Sequence, residues 1–358
     1  MDSIITKNYS LHFNNIGYKK LNSLLDKKNF SKIIVLTDSN TKLLCLEKFY
    51  SKINNKKSKN ILNISFNYGE KNKNLSTCED LWTSLSFHGV DRSSLIINLG
   101  GGVVTDLGGF IASTFIRGIQ FINVPTTLLS MVDASIGGKT GIDLNNIKNQ
   151  IGVINNPSMV IVDSDFLETL PLEELKSGFS EMIKHSLITG FKFWKSIKLI
   201  DINSFLVGNC FYNSILIKSK IVDNDPFEKG KRKILNYGHT AGHAIETYCL
   251  NTKSRKDLTH GHSIALGMIV EGYLSTIILN FDKQVNAEIN RFILRNFDKL
   301  IFSDLEIERI IKLMKFDKKN KDGQIKFVLL KEIGKPVYDQ SIDLKTIKKS
   351  FKFLNEFS

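Results

Sequence analysis

What this sequence lacks narrows it first. Cysteine is sparse: Cys45, Cys78, Cys210 and Cys249 are scattered, with no CxxC spacing. That pattern argues against a disulfide framework and a thiolate zinc site, and it suits a reducing cytoplasm. No uninterrupted apolar run reaches the roughly 20 residues of a membrane span. The nearest, Ser263 to Leu279, is broken by Glu271 and reads as a buried helix. The first eight residues show no basic segment leading into an apolar core, so no secretory signal is expected. Internal repeats and low-complexity linkers are absent, and only 5 prolines interrupt the chain.

The formal charge of +13 raises the question of a nucleic-acid partner. The lysines are dispersed and interleaved with Asn and Ile, as in residues 54–60, and no zinc-finger, homeodomain or RNA-recognition signature accompanies them. Compositional drift toward Lys, Asn and Ile accounts for most of the charge. Neither a nucleic-acid nor a membrane partner is expected, and a few of the cations are available for anionic ligands.

At 358 residues and 42% hydrophobic composition, the chain can bury two domains. The fold class expected is α/β, with a Rossmann-like N-terminal domain over residues 1–165 and a mostly α-helical C-terminal domain over residues 166–358. Short apolar runs at Lys32–Thr37, Ile61–Phe66, Ser94–Leu99, Gln120–Val124 and Met159–Asp163 read as strands covered on both faces. Helical stretches between them imply βαβ units and a largely parallel sheet. Beyond Asp165 the period becomes helical, at Leu172–Thr189, Phe205–Ile221, His239–Cys249 and His262–Leu279. A late β element is expected at Gln324–Leu330, and residues 251–257 read as an exposed loop.

Leu95-Ile96-Ile97-Asn98-Leu99 leads into Gly100-Gly101-Gly102, then a helical stretch. Glycines let the backbone approach a pyrophosphate, and the helix N-terminus favours its charge. The loop departs from GxGxxG and by itself is as compatible with a plain turn. Polar groups follow other strands: Asp38 and Asn40, then Glu70 and Lys73, then Thr126 and Thr127. Strand C-termini are where open α/β sheets bind nucleotides, although each residue alone could equally be a cap.

Five of the seven histidines fall between His185 and His262. His239 and His243 stand at i and i+4, His260 and His262 follow, and Glu181 and Lys184 share an upstream helical face. Two imidazoles and a carboxylate with an open position would make a catalytic zinc site, the spacing leaving open which histidines ligate. His12, His88 and His185 read as packed or surface residues. Arg117, Lys139, Lys148, Lys184, Lys218 and Arg232 lie among Gly, Asn or apolar residues, where cations can gather around phosphate or carboxylate.

Taken in order, several segments resemble those of the 3-dehydroquinate synthase family over nearly the whole chain. They are Gly-Gly-Gly-Val-Val-Thr-Asp-Leu-Gly-Gly-Phe (100–110), Phe-Ile-Arg-Gly (115–118), Pro-Thr-Thr-Leu-Leu (125–129) and Asp-Ala-Ser-Ile-Gly-Gly-Lys-Thr-Gly-Ile (133–142). Lys-Asn-Gln-Ile-Gly (148–152), Ser-Glu-Met-Ile-Lys-His (180–185), Asn-Tyr-Gly-His-Thr-Ala-Gly-His-Ala-Ile-Glu (236–246) and Asp-Lys-Lys (317–319) continue the series.

The resemblance implies a metal, zinc or cobalt, on Glu181, His239 and His260. It implies NAD lined by Asp38, Asn40, Glu70, Lys73, Gly101, Gly102, Val103, Asp106, Thr126, Thr127 and Leu129, with Lys139, Lys148 and Thr169 close by. Asp133, Lys139, Asn149, Lys184, Lys218, Arg232, Asn236 and His243 would surround a sugar-phosphate substrate. Lys318 would add a late basic contact, and Arg117 would reach the phosphate from the partner of a homodimer. The implied reaction converts 3-deoxy-D-arabino-heptulosonate 7-phosphate to 3-dehydroquinate in the shikimate pathway. It runs by transient oxidation, phosphate elimination, re-reduction and intramolecular aldol closure.

Two departures stand out. Where the family commonly has Glu after the metal-site His-Gly, this chain has His262, which adds an alternative imidazole. The usual Asp-Glu ahead of the substrate arginine is Asp225-Pro226. The rival readings are another sugar-phosphate cyclase, acting on sedoheptulose 7-phosphate or glucose 6-phosphate, and a metal-dependent polyol dehydrogenase. Lys218, Arg232, Asn236 and His243 favour a carboxylated substrate.

Overall fold

The structure is a computed structural model that describes residues 1–53, 61–145, 147–202, 210–314 and 324–357. Lys318 and the 317–319 stretch, residues 54–60 and the first part of the helix expected at Phe205–Ile221 lie outside the described residues. The chain divides into two compact units, Met1–Pro171 and Leu172–Ser358.

The first unit runs β1 (Ile4–Ile5), β2 (Ser10–Phe13), α1 (Asn14–Lys27), β3 (Ile33–Asp38), α2 (Ser39–Leu44), α3 (Leu46–Ser51) and β4 (Ile61–Phe66). It continues with α4 (Leu75–Phe87), β5 (Leu95–Gly100), α5 (Gly102–Thr114), β6 (Gln120–Pro125), β7 (Lys139–Leu144), β8 (Ile147–Ile154) and β9 (Met159–Val162). Seven strands form one sheet in the order β1-β2-β9-β6-β5-β3-β4. Every pairing is parallel except β1 with β2. Strands β3, β5 and β9 are buried along their whole length, which is why their sequences are continuously apolar.

The five strands expected from the sequence are present within a residue or so at each end. Three features went unforeseen: β1, β2 and the antiparallel β7–β8 hairpin. The chain leaves β3 toward β4, then returns to place β5 on the other side of β3. The C-terminal ends of β3 and β5 therefore flank a topological switch point, the place where such sheets take ligands. Helix α5 lies tight on the sheet because it carries Gly108: a Cβ there would stand 2.0 Å from Asn98 Oδ1 and 2.9 Å from Leu36.

The second unit is mostly helical: α6 (Leu172–Thr189), α7 (Phe191–Lys198), α8 (Cys210–Asn224), α9 (His239–Leu250), α10 (His260–Ile278), α11 (Lys283–Asn296), α12 (Asp304–Met314) and α13 (Leu344–Glu356). The late β element is a hairpin, β10 (Lys326–Glu332) with β11 (Lys335–Ser341), so the single strand expected at Gln324–Leu330 is shifted and has an unforeseen partner. Among the described helices, α10 alone is long and apolar enough to cross a membrane, and 78% of that stretch is buried inside the chain. It packs against α6, α9, α11 and α13, which makes it the core helix of this unit.

Candidate functional site

In the first unit, β5 ends at Gly100 and α5 begins at Gly102 with Gly101 as its N-cap, and no side chain caps the helix. Its first-turn N–H groups are therefore offered by backbone alone, the arrangement that suits a phosphate. The Thr126 N–H donates to the Gly100 carbonyl at 3.0 Å, bringing the loop after β6 beside the glycine loop. A Cβ on Gly101 would stand 2.9 Å from Thr127 Cγ2, so the two loops lie in side-chain contact here. The Thr127 hydroxyl accepts from the Ser130 N–H at 3.1 Å, at the start of a π-helical turn, Ser130–Ala134, that has Leu129 as its N-cap and contains Asp133. Asp38 is engaged as the N-cap of α2: its Oδ1 accepts from the Thr41 N–H at 2.7 Å, and Thr41 returns the bond. Asn40 is exposed on that helix.

Beside these loops sits a polar knot centred on the buried Lys73. Lys73, 4% exposed, places Nζ 2.9 Å from Glu70 Oε1, 3.5 Å from Asp106 Oδ2 and 3.7 Å from Asp143 Oδ1. It also donates to Asn149 Oδ1 at 2.9 Å, and Lys148 approaches the same Glu70 oxygen at 3.4 Å. Burial pushes the Asp106 carboxyl up to about 6; Lys73 opposes this, while Glu70 and Asp133 add to it. Burial raises Asp143 as well. For Lys73 burial pulls downward, but its three carboxylates prevail and hold it above the ordinary lysine range. Asp143 was not foreseen. It accepts the Asn149 N–H at 2.7 Å and donates its own N–H to the Lys73 carbonyl at 2.8 Å, tying the hairpin to the knot.

The remaining first-unit candidates stand elsewhere. Ile116 and Arg117 both take left-handed backbone (φ 42° and 67°), followed by Gly118 at 115°. For a β-branched residue this is strained, and the turn presents Ile116 and Arg117 to solvent. Lys139 and Thr169 are exposed, Gly102 and Val103 are half-buried in the first turn of α5, and Asp133 is half-buried.

In the second unit, the donor atoms come from three helices. Glu181 on α6 is fully buried, ion-paired with Lys184 one turn on. Its Oε1 lies 3.5 Å from His239 Nε2 on α9 and 3.9 Å from His260 Nε2 on α10. One nitrogen each from His239, His243 and His260 falls within 4.8 Å of the others. The carboxylate and imidazoles form a donor set that fits a borderline divalent cation such as zinc or cobalt.

The ring nitrogens are oriented for that task. His239 Nδ1 lies 3.1 Å from the Tyr237 carbonyl, and His260 Nδ1 lies 3.3 Å from Glu246 Oε2. Both partners accept, so Nδ1 carries the proton and Nε2 the lone pair, toward Glu181. Glu246, buried on α9, is a second residue that sequence reasoning did not single out; a helical acid gives no signal until its neighbour is known.

His262 does not join this cluster. Its Nε2–H donates to the Asp298 carbonyl at 2.7 Å and its ring packs on Phe297, so the alternative-ligand reading is corrected. The Asp225-Pro226 departure leaves an ordered loop. Asp225 accepts from the Lys229, Gly230 and Arg232 N–H groups, and Arg232 Nη1 donates to the Pro226 carbonyl at 2.6 Å. Asn236 donates to Glu228 Oε1 at 2.5 Å, which adds Glu228 to the unforeseen polar residues. Lys218 is buried on α8.

Comparison with known proteins decides the family. The 3-dehydroquinate synthase N-terminal model matches residues 63–177 and the C-terminal model residues 178–320. The 3-dehydroquinate synthase of Parabacteroides distasonis is 38% identical over 94% of this chain and 95% of its own. That of Pelagibacter ubique is 37% identical over 96% and 94%. This chain belongs to the 3-dehydroquinate synthase family. Among solved structures, 2-deoxy-scyllo-inosose synthase, complexed with carbaglucose-6-phosphate, NAD+ and Co2+, is similar over 100% of both chains, with a TM-score of 0.81 and 25% identity. The Rossmann-like plus helical architecture of the family is the one described above.

Proposed function

We propose that the chain carries out the family's reaction with the residues gathered in the two units. The activity is that of a 3-dehydroquinate synthase, a lyase that converts 3-deoxy-D-arabino-heptulosonate 7-phosphate to 3-dehydroquinate and phosphate in the shikimate pathway. Its cofactors are NAD and one divalent metal ion, zinc or cobalt. When bound, NAD would accept a hydride from the substrate's carbinol carbon and return it later, and the metal ion would polarise the oxygen on that carbon.

The observation that carries the residue assignment is the buried Glu181 carboxylate, with His239 and His260 presenting Nε2 to it. Glu181, His239 and His260 hold the metal; Glu246 and the Tyr237 carbonyl fix the two imidazoles. His243, close to both, hydrogen-bonds substrate. Lys184, Lys218 and Arg232 neutralise carboxylate and phosphate, with Asn236 beside them. The N-terminal domain takes NAD. There the bare N-terminus of α5 at Gly101, Gly102 and Val103 receives the pyrophosphate, and Asp38, Glu70, Lys73, Asp106, Thr126, Thr127, Leu129 and Lys148 line the rest, with Asn40 and Thr169 at the margin. Asp133, Lys139 and Asn149 complete the substrate set. Arg117, exposed on its strained turn, serves the partner subunit of a cytoplasmic homodimer.

The test is phosphate release by the purified chain from the heptulosonate phosphate, with and without NAD+ and a chelator. Release that needs both cofactors supports the reading. Turnover of sedoheptulose 7-phosphate or glucose 6-phosphate in its place overturns it. Full metal content in Glu181→Ala or His260→Ala overturns the ligand set.

A further inference from the structure

Helix α9 starts on His239, yet its own N-cap, Gly238 (φ 79°), supplies no capping side chain. The cap comes from another helix. Glu271, midway along α10 and fully buried, accepts the Gly238 N–H through Oε2 at 2.8 Å and the Ala241 N–H through Oε1 at 3.2 Å. Those are the N–H groups of the N-cap and the third helical residue, so the carboxylate brackets His239 from both sides and places negative charge at the helix N-terminus. In the sequence Glu271 was only the residue that broke an apolar run.

The same helix carries His260, about three turns earlier and so on the same face. The two helices touch at backbone distance beside the cap: a Cβ on Gly267 would stand 2.0 Å from the Gly238 carbonyl oxygen and 2.7 Å from the Gly242 nitrogen. Tyr237, whose carbonyl accepts from His239 Nδ1, is buried next to Glu271, and burial followed by that carboxylate holds its phenol protonated. One rigid helix thus presents one metal-binding imidazole and also fixes where another begins.

Resting on the metal reading above, we propose that Glu271 is a positioning residue of the metal centre: by capping α9 from α10 it sets His239 relative to His260. A carboxylate this buried persists because two N–H groups satisfy it; an apolar residue would leave both N–H groups without that acceptor.

The test measures Co2+ binding by chelator competition and by its visible absorption, on the full chain without substrate. Glu271→Ala is expected to lower Co2+ affinity by roughly ten- to a hundredfold, the range for outer-shell partners of metal ligands, and to change the spectrum. Glu271→Gln keeps one acceptor oxygen and is expected to lose less; it decides the matter if the alanine variant does not fold. Asp282→Ala is the matched control, because Asp282 caps α11 through the Gln284 and Val285 N–H groups. It is expected to lower the melting temperature while leaving Co2+ affinity and spectrum unchanged. Wild-type Co2+ binding in both Glu271 variants, with binding lost in His239→Ala, overturns the proposal alone. An equal loss in Asp282→Ala also overturns it, since any lost cap would then do the same. Undiminished binding in His239→Ala removes the metal reading and the proposal with it.

Discussion

The two units hold their polar groups by opposite means. In the first, the groups stand on loops at strand ends, and one ammonium, Lys73, is shared by Glu70, Asp106 and Asp143. In the second, they stand on helices whose backbones touch: a Cβ on Gly261 of α10 would lie 2.1 Å from the Ser177 carbonyl oxygen and 2.4 Å from Ser177 Cα on α6. A dinucleotide is large and can be met by backbone N–H groups and adjustable side chains. A metal ion needs donors fixed to tenths of an ångström, which close-packed helices supply. On the proposed assignment the glycines of the two sites do different work, one set admitting a ligand and the other locking a scaffold.

The largest effect that separates the two is expected at Gly261. In Gly261→Ala the methyl meets backbone that cannot rotate away, so the denaturation midpoint should drop by the equivalent of about 3 kcal/mol or more. Wild-type stability would break the claim that backbone contact sets the helix spacing.

Next is Glu306 of the second unit. Burial alone would raise its carboxyl, but Arg255, Ser303 and Tyr248 hold it down at about 2. Its contribution is present above the unfolded value of 4.5 and is lost as pH falls from there toward 2. Glu306→Gln is expected to cost about 2 kcal/mol at neutral pH and to flatten the acid limb of a stability-versus-pH curve.

Gly101→Ala should behave unlike Gly261→Ala. Its Cβ meets only a threonine methyl that can shift, so stability should change by about 1 kcal/mol or less. NAD+ affinity, measured calorimetrically, should fall by about tenfold, because the added methyl enters the space above the helix N-terminus. Unchanged NAD+ affinity would contradict a ligand-admitting role for Gly101.

The smallest effect concerns Asp106, where the sign reverses. With its carboxyl pushed up to about 6 from 3.8, the folded chain keeps a proton that the unfolded chain has released. Stability therefore falls as pH rises through that window. Asp106→Asn should remove this slope and stabilise the ligand-free chain at pH 7 by about 1 kcal/mol, while weakening NAD+ binding. A destabilised variant would show that the crowded carboxylates of the first unit are net favourable.

How much of this was legible in the sequence follows from where the signals lie. The parallel strands were readable because burial on both faces writes continuous apolar runs, and α6 was read to the residue. The β7–β8 hairpin was not, since its pairing depends on Gly141 and Gly152 passing backbone to backbone: a Cβ on either would come within 2.5 Å of a carbonyl oxygen on the facing strand. A glycine in a motif carries no mark of the strand it faces. The His239 and His243 spacing was visible as a helical pair, but spacing could not say that His262 turns toward the Asp298 carbonyl. Asp143 and Glu246 were missed because an acid reads as surface until the N–H or imidazole that satisfies it is located, and Glu271, although read within a buried helix, carried no mark of the N–H groups it caps.

As a member of this family the chain uses NAD as a recycled catalyst together with a divalent metal ion. The most direct measurement supplies one equivalent of NAD+ per chain with metal and excess heptulosonate phosphate, then follows phosphate and NADH together. Phosphate is expected far in excess of the NAD+ supplied, with no lasting NADH. Phosphate release that stops at one equivalent, or NADH that accumulates as substrate is consumed, would contradict it.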